Sequence, residues 1–429
     1  MKLKEWFSVR GPVYTRQRAR SLLTRYRFFP SKAMNRIDSS LNALVDQDCA
    51  PTFSTPGIVV KRYPQFIRRL QEAGAEIAVH GYQHVDLSAY PVTNACKQLA
   101  KAVEAFNRNG IDVHGFRCPY LGCTNELLDA LPKGLFHYSS NKAIYWNLLQ
   151  GIDDGYINLV RDTLRNLYHA VASTDAISVP YTRPNMLEIP VSLPDDMELL
   201  DGLNLTPVEV AHTWCQVLKQ THQRGELFNL IFHPELAGLC EHPIFEVLSC
   251  AKSLQPFVWV ARLCDISEWW SEKSSFKVET TLTSIGLRLV FTCSPAATIL
   301  VKGFDLRDSG SAWDGSYQRL QAKILEMPAS PRPFLGLSAK VSQKVITFLM
   351  EQGYILDITE TATGCGIYLD EAILAGLISA TALINYIEAC SCPLVRYWRW
   401  PNGAKSALSI TGDLDALSLL DYLSRLYKT

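Results

Sequence analysis

At 429 residues the chain exceeds the size at which one hydrophobic core usually stops growing, so two domains are expected. With 48% hydrophobic and 20% charged residues it reads as globular, and a formal net charge of zero gives it no global attraction to nucleic acid. No run reaches the ~18 apolar residues of a membrane span. The opening Met1-Lys-Leu-Lys-Glu-Trp-Phe-Ser-Val-Arg10 lacks the apolar centre of a secretory signal, so a cytoplasmic protein is expected.

Residues 1–36 carry ten Lys or Arg against one acid, Glu5. A solvated basic arm and helix face explains this run, and contact with an anionic surface is its functional alternative. Twelve cysteines are scattered without a disulfide framework or a paired Cys-x-x-Cys, and read as reduced, buried small side chains.

Ser31 is placed to cap a helix through Leu41, Leu44 and Val45, and Pro51-Thr-Phe starts a strand. Pro64 opens a helix that Gly74 stops. Ala75–Val79 then reads as a buried strand delivering His80. A helical stripe from Val92 to Phe106 closes at Gly110, and the Val113–Phe116 strand delivers Arg117. Leu187–Val191 delivers a Pro-Asp-Asp turn holding Asp195 and Asp196. A helix from Val208 to Leu218 ends at Gly225, and Leu227–Phe232 delivers His233. Each chemically capable side chain thus follows the C-terminal end of an apolar strand, the edge where parallel α/β folds assemble their sites.

Residues 275–340 alternate with period two and suggest a small antiparallel sheet, with helices at 341–353 and 370–389. The expected organisation is a basic arm and helix at 1–36, a catalytic α/β domain at 37–268 and a smaller β-rich α+β accessory domain at 274–395. A C-terminal strand and helix, 396–429, completes the catalytic domain. That last piece runs Ser406-Ala-Leu-Ser-Ile-Thr-Gly-Asp413-Leu-Asp415-Ala416.

Four stretches resemble the polysaccharide deacetylase family (the NodB homology domain). These are His80-Gly-Tyr-Gln-His84, Arg117-Cys-Pro-Tyr120, Leu230-Ile-Phe-His233-Pro and, more loosely, Glu188-Ile-Pro-Val-Ser with Asp195-Asp196. The family's first motif, Thr-x-Asp-x-Asp, is missing ahead of the first helix, where Arg27-Phe-Phe-Pro-Ser31 stands. Thr411-Gly-Asp413-Leu-Asp415 supplies it at the other end, as in a circular permutation. The resemblance implies a distorted (β/α) barrel and hydrolysis of non-peptide C–N amide bonds, foremost N-acetyl groups of an amino sugar or glycan. It also implies that the backbone N–H of Tyr120 serves the oxyanion.

A catalytic zinc takes about three protein ligands and leaves one position open, which His80, His84 and Asp415 satisfy; cobalt, nickel or iron are alternatives. Asp413 is then placed as general base and His233 as the acid that protonates the leaving amine. Arg117 would orient Asp413, with Asp195 or Asp196 as a further partner. Capping of the 417–427 helix is the competing role for Asp413 and Asp415. Rival readings are a catalytically inactive glycan-binding protein, a hydrolase of cyclic imides or ureides, and an iron oxygenase using His84-Val-Asp86. A homodimer that swaps the C-terminal strand is the geometric rival. Trp269-Trp270 and Tyr397-Trp-Arg-Trp400 read as packing.

Overall fold

The computed structural model describes residues 29–148, 155–284, 286–306 and 309–424; most of the basic arm, residues 1–28, lies outside them. Helices occur at Ser31–Val45, Pro64–Glu72, Val92–Arg108 and Pro207–Arg224. Each buries one apolar face. The last is closed at both ends, by a Thr206–Glu209 capping box and by Gly225 in the left-handed region at φ 67°. Pro30, not Ser31, occupies the cap position of the first helix.

The main sheet is largely parallel, and its central strands are buried on both faces. Thr52–Thr55 pairs with Glu76–Val79 on one side, and Glu76–Val79 in turn pairs with Gly115–Phe116, then Tyr138–Ser139. The other flank is Leu227–Phe232, which pairs with Val191–Leu193. The expected Leu187–Val191 strand is split, because Ile189-Pro190 breaks it into Leu187–Glu188 and Val191–Leu193. The first half pairs with Tyr138–Ser139 and the second with Ala143–Tyr145. Tyr138–Tyr145 is divided in the same way, so chain continuity joins the two flanks and curls the sheet into a distorted α/β barrel.

The C-terminal strand Ser406–Asp413 fills the gap at the centre. It pairs in parallel with Leu227–Phe232 over six residues, from Leu227↔Ala407 to Phe232↔Gly412. It also pairs with Thr52–Thr55, at Thr52↔Thr411, Phe53↔Gly412 and Ser54↔Asp413, and with Val258–Val260. All eight of its residues are buried. Gly412 is required by close approach: a Cβ there would fall 2.7 Å from both the Phe53 ring and Pro234. The segment docks within its own chain. Past the strand, Ser418 and Asp421 cap the Leu419–Ser424 helix, and Asp421 pairs with Arg62 of the Gly57–Arg62 helix. The remainder of the expected 417–427 helix lies outside the described residues.

Residues 277–397 build three smaller sheets. Lys277–Thr283, Gly286–Thr292 and Ile324–Met327 form the expected antiparallel sheet. Arg332–Leu337, by contrast, pairs in parallel with Leu356–Ile358 and Cys365–Leu369, a geometry that period-two alternation does not distinguish. The helices Gln343–Glu351 and Ala380–Ala389 cover it. Trp269, Trp270, Trp398 and Trp400 are buried in one cluster with Leu300 and Tyr317, joining these sheets to the barrel. The cysteines are unpaired; four are buried and the others half-buried. No helix among the described residues is long and apolar enough to cross a membrane.

Candidate active site

The C-terminal ends of four strands meet at one edge of the sheet, with Thr52–Thr55 lying between two of them. His80 follows Glu76–Val79, Arg117 follows Gly115–Phe116, His233 follows Leu227–Phe232, and Asp413 ends Ser406–Asp413. Parallel register makes this convergence unavoidable, since side chains one step past parallel strands share an edge.

His80 and His84 lie with ring centroids 5.0 Å apart. The His80 Nδ1 lies 2.8 Å from the Arg117 carbonyl oxygen, which can only accept, so Nδ1 carries the proton and Nε2 keeps its lone pair. That Nε2 is buried and has no hydrogen-bond partner among the described residues, and neither has Asp415 Oδ1. The two atoms face each other at 3.7 Å, and His84 Nε2 comes within 2.9 Å of the same oxygen. All three ligand atoms lie within 4.8 Å of one another. Buried acceptors left unsatisfied are costly, and a cation between them removes the cost. The donor set, two imidazoles and one carboxylate, fits a divalent ion with an open position. Burial opposes ionisation of Asp415, but His84 and His80 outweigh it and hold the carboxyl well below its ordinary range.

Asp413 faces inward from the same strand end. Arg117, 1% exposed, donates from Nη1 to Asp413 Oδ1 at 2.8 Å and to Thr411 Oγ1 at 3.0 Å. Its Nε and Nη2 donate to the Ser140 carbonyl and hydroxyl, each at 3.1 Å. Burial would raise the Asp413 pKa, yet Arg117, with His80 and His233, brings it below the ordinary value. Asp413 is therefore a held carboxylate rather than an acid.

His233 sets its Nδ1 2.7 Å from Asp196 Oδ1 and donates its backbone N–H to Oδ2 at 2.7 Å. An acceptor-only carboxylate fixes the proton on Nδ1 and turns Nε2 to the opposite side of the ring. The suggested pairing of Arg117 with Asp195 or Asp196 is thus corrected: Asp196 is engaged by His233, and Arg117 is engaged by Asp413, Thr411 and Ser140. Asp195 accepts the Glu198 N–H at 2.8 Å and is pushed up to about 6 by burial and by neighbouring Asp196.

Tyr120 adopts φ 58° and ψ 18°, a conformation that costs a non-glycine residue of order 1–3 kcal/mol. Its ring packs edge-on against His84 at 4.7 Å. The backbone leading into it is tied down by Asn141, whose Oδ1 accepts the Cys118 N–H at 2.7 Å. Ser140, Asn141, Asn229 and Glu235 complete the site without having been singled out in the sequence, and Thr411, quoted there only as part of the acidic motif, joins them. Asn229 joins Ser140 to Thr411, and Glu235 accepts the Ala416 N–H at 3.2 Å. Ser140 and Asn141 do follow a strand end, but Tyr138–Ser139 is two residues long and shows no periodicity.

Residues 32–134 match the sequence model of the polysaccharide deacetylase family. That range contains His80, His84, Arg117 and Tyr120 and stops before the other site residues. No curated protein matches the chain. Among solved structures, a Mycobacterium smegmatis protein assigned to the polysaccharide deacetylases is 23% identical over 56% of this chain and 77% of its own, with a TM-score of 0.43. The peptidoglycan deacetylase PdaC of Bacillus subtilis is 27% identical over 23% of this chain and 48% of its own, at 0.22. A family 4 carbohydrate esterase from Streptomyces lividans is 15% identical over 50% of this chain and 80% of its own, at 0.29.

Proposed function

We propose that the chain is a metal-dependent hydrolase of non-peptide C–N amide bonds, with the N-acetyl group of an amino sugar or glycan as its substrate class. The observation that carries the reading is the buried convergence of two imidazole nitrogens on one carboxylate oxygen, His80 Nε2 at 3.7 Å and His84 Nε2 at 2.9 Å from Asp415 Oδ1, beside a second carboxylate held by arginine. The deacetylase match over residues 32–134 supports the same chemistry.

His80, His84 and Asp415 would hold the ion, zinc by ligand type. Such an ion supplies Lewis acidity and makes water easier to deprotonate. Asp413, kept ionised by Arg117, takes the proton from the water that attacks the acyl carbon. The Tyr120 N–H, fixed by its left-handed backbone, donates to the oxygen on which negative charge develops. Protonated His233, steadied by Asp196, gives its proton to the nitrogen as the C–N bond breaks, and a free carboxylic acid and amine leave. Arg117 holds Asp413 in place throughout.

The reading is tested by measuring acetate release from chitooligosaccharides and N-acetylglucosamine by the zinc-loaded chain. A cyclic imide assay runs in parallel. Release that disappears in Asp413→Asn, with zinc retained, supports it. Zinc bound at one per chain with no hydrolysis of any probe would leave a binding protein instead.

A further inference from the structure

Glu188 is 1% exposed and ends the Leu187–Glu188 strand. Its Oε1 accepts the backbone N–H groups of Asn141 and Lys142, each at 2.7 Å, and its Oε2 accepts the Ser139 hydroxyl. Three donors from one four-residue stretch therefore converge on one buried carboxylate. Burial raises the pKa of this acid while the Ser139, Asn141 and Lys142 donors lower it, and the balance stays on the raised side.

The gathered stretch, residues 139–142, is the crossing where Tyr138–Ser139 hands over to Ala143–Tyr145. Two of its residues reach the active site. Ser140 offers both its carbonyl and its hydroxyl to Arg117, which holds Asp413. Asn141 accepts from Cys118 N–H, two residues before Tyr120. Backbone bonds hold parts of this stretch, from Ser140 N–H to the Phe116 carbonyl and from Ile189 and Val191 N–H to the Ser139 and Lys142 carbonyls. The Asn141 and Lys142 amides lie off that ladder, and the Glu188 carboxylate satisfies both.

We propose that Glu188 is a positioning residue for the reaction: by gathering residues 139–142 it sets both the Ser140 clamp on Arg117 and the Asn141 tie on the Tyr120 backbone. The inference rests on the reading of Asp413 and Tyr120 given above. What Glu188 supplies is reach and one oxygen that accepts both amides, rather than charge. Glutamine at 188 keeps Oε1 for both amides, and its NH2 can donate to a Ser139 hydroxyl that rotates to accept. Aspartate keeps the charge but falls one methylene short. Alanine leaves the amides unsatisfied.

The test uses the full, zinc-loaded chain carrying Glu188→Gln, Glu188→Asp or Glu188→Ala. One readout is independent of turnover: the exchange rate of the Arg117 Nε–H, seen in 15N-arginine-labelled protein and assigned by its loss in Arg117→Lys. Slow exchange in wild type and Glu188→Gln, with exchange about 100-fold faster in Glu188→Ala at unchanged zinc content, is expected. On chitooligosaccharide, kcat falls about 100-fold in Glu188→Ala with KM within threefold, as a misplaced catalytic group requires, and Glu188→Gln restores it to within about threefold. If Glu188→Ala does not fold, Glu188→Asp replaces it, with impaired exchange protection expected. An unchanged Arg117 signal in Glu188→Ala, or in Glu188→Asp where alanine fails to fold, overturns the proposal. So does a glutamine variant as defective as alanine. Loss of Arg117 protection in a chain that hydrolyses none of the probes sustains the positioning role while removing the hydrolase reading.

Discussion

Arg117 and Asp413 stand 296 residues apart in the chain, and Nη1 of one donates to Oδ1 of the other at 2.8 Å. Both side chains are buried, so each is the other's compensation for leaving water. The guanidinium spans Asp413, Thr411 and Ser140 at once, which a single ammonium cannot do. Arg117→Lys is expected to lower kcat by about 100-fold, the scale for a displaced catalytic group. Its zinc content, measured by elemental analysis, stays at the wild-type level.

Glu198 and Asp195 set a pH dependence of stability. Burial pushes Glu198 from 4.5 up to about 8 and Asp195 from 3.8 up to about 6. Between the unfolded and folded values the native state binds more protons than the unfolded state, so stability falls as pH rises. The slope is up to about 1.4 kcal/mol per pH unit for each group. The Glu198 share spans roughly pH 4.5 to 8 and disappears in Glu198→Gln. Urea unfolding across that range is expected to show a flatter dependence for the variant.

Lys273 gives the opposite sign at higher pH. Burial, with Arg396 and Arg399 nearby, lowers its amine from 10.5 to about 7. The unfolded state then binds the extra proton between those values, so this group's contribution makes stability rise with pH from about 7 to about 10.5. The amine donates to the Glu351 carbonyl and sits 4.0 Å from the Trp270 ring centroid, at the seam between barrel and smaller sheets. Lys273→Met is expected to remove that rise, as read from thermal midpoints at pH 7 and pH 10.

Ending the chain at Lys405 deletes the strand that separates Leu227–Phe232 from Thr52–Thr55. Two central strands would then lose their partners on the facing sides, and unpaired apolar strands associate. The truncated protein is expected to aggregate or to lose its cooperative thermal transition, checked by circular dichroism and size-exclusion chromatography. A soluble truncation with the full-length melting curve would show the strand to be dispensable.

Much of this was readable because long elements carry their pattern. Leu227–Phe232 announces a buried strand ending at His233, and the apolar run from Ser406 announces its own end at Asp413. The docking of that run beside Thr52–Thr55 follows from where the acidic pair had to go. Strands of two residues carry no pattern, so Tyr138–Ser139 and the Ser140 and Asn141 contacts behind it were hidden. The further partner suggested for Arg117 was misplaced for a related reason. Asp195-Asp196 stands near His233 only because Pro190 splits its strand and carries the second half to the other flank of the barrel. In the smaller sheets, alternation marked strands but not their direction, and Arg332–Leu337 took parallel partners.

Zinc stoichiometry in the Asp415→Asn variant is the most direct measurement of whether the chain's C-terminal acidic pair closes the site. Asparagine keeps the shape and removes the charge that the two imidazoles face. Wild type is expected to hold about one zinc per chain, and Asp415→Asn and His80→Ala to lose it together with an unchanged fold. One zinc per chain retained in Asp415→Asn, at wild-type affinity, would contradict the account.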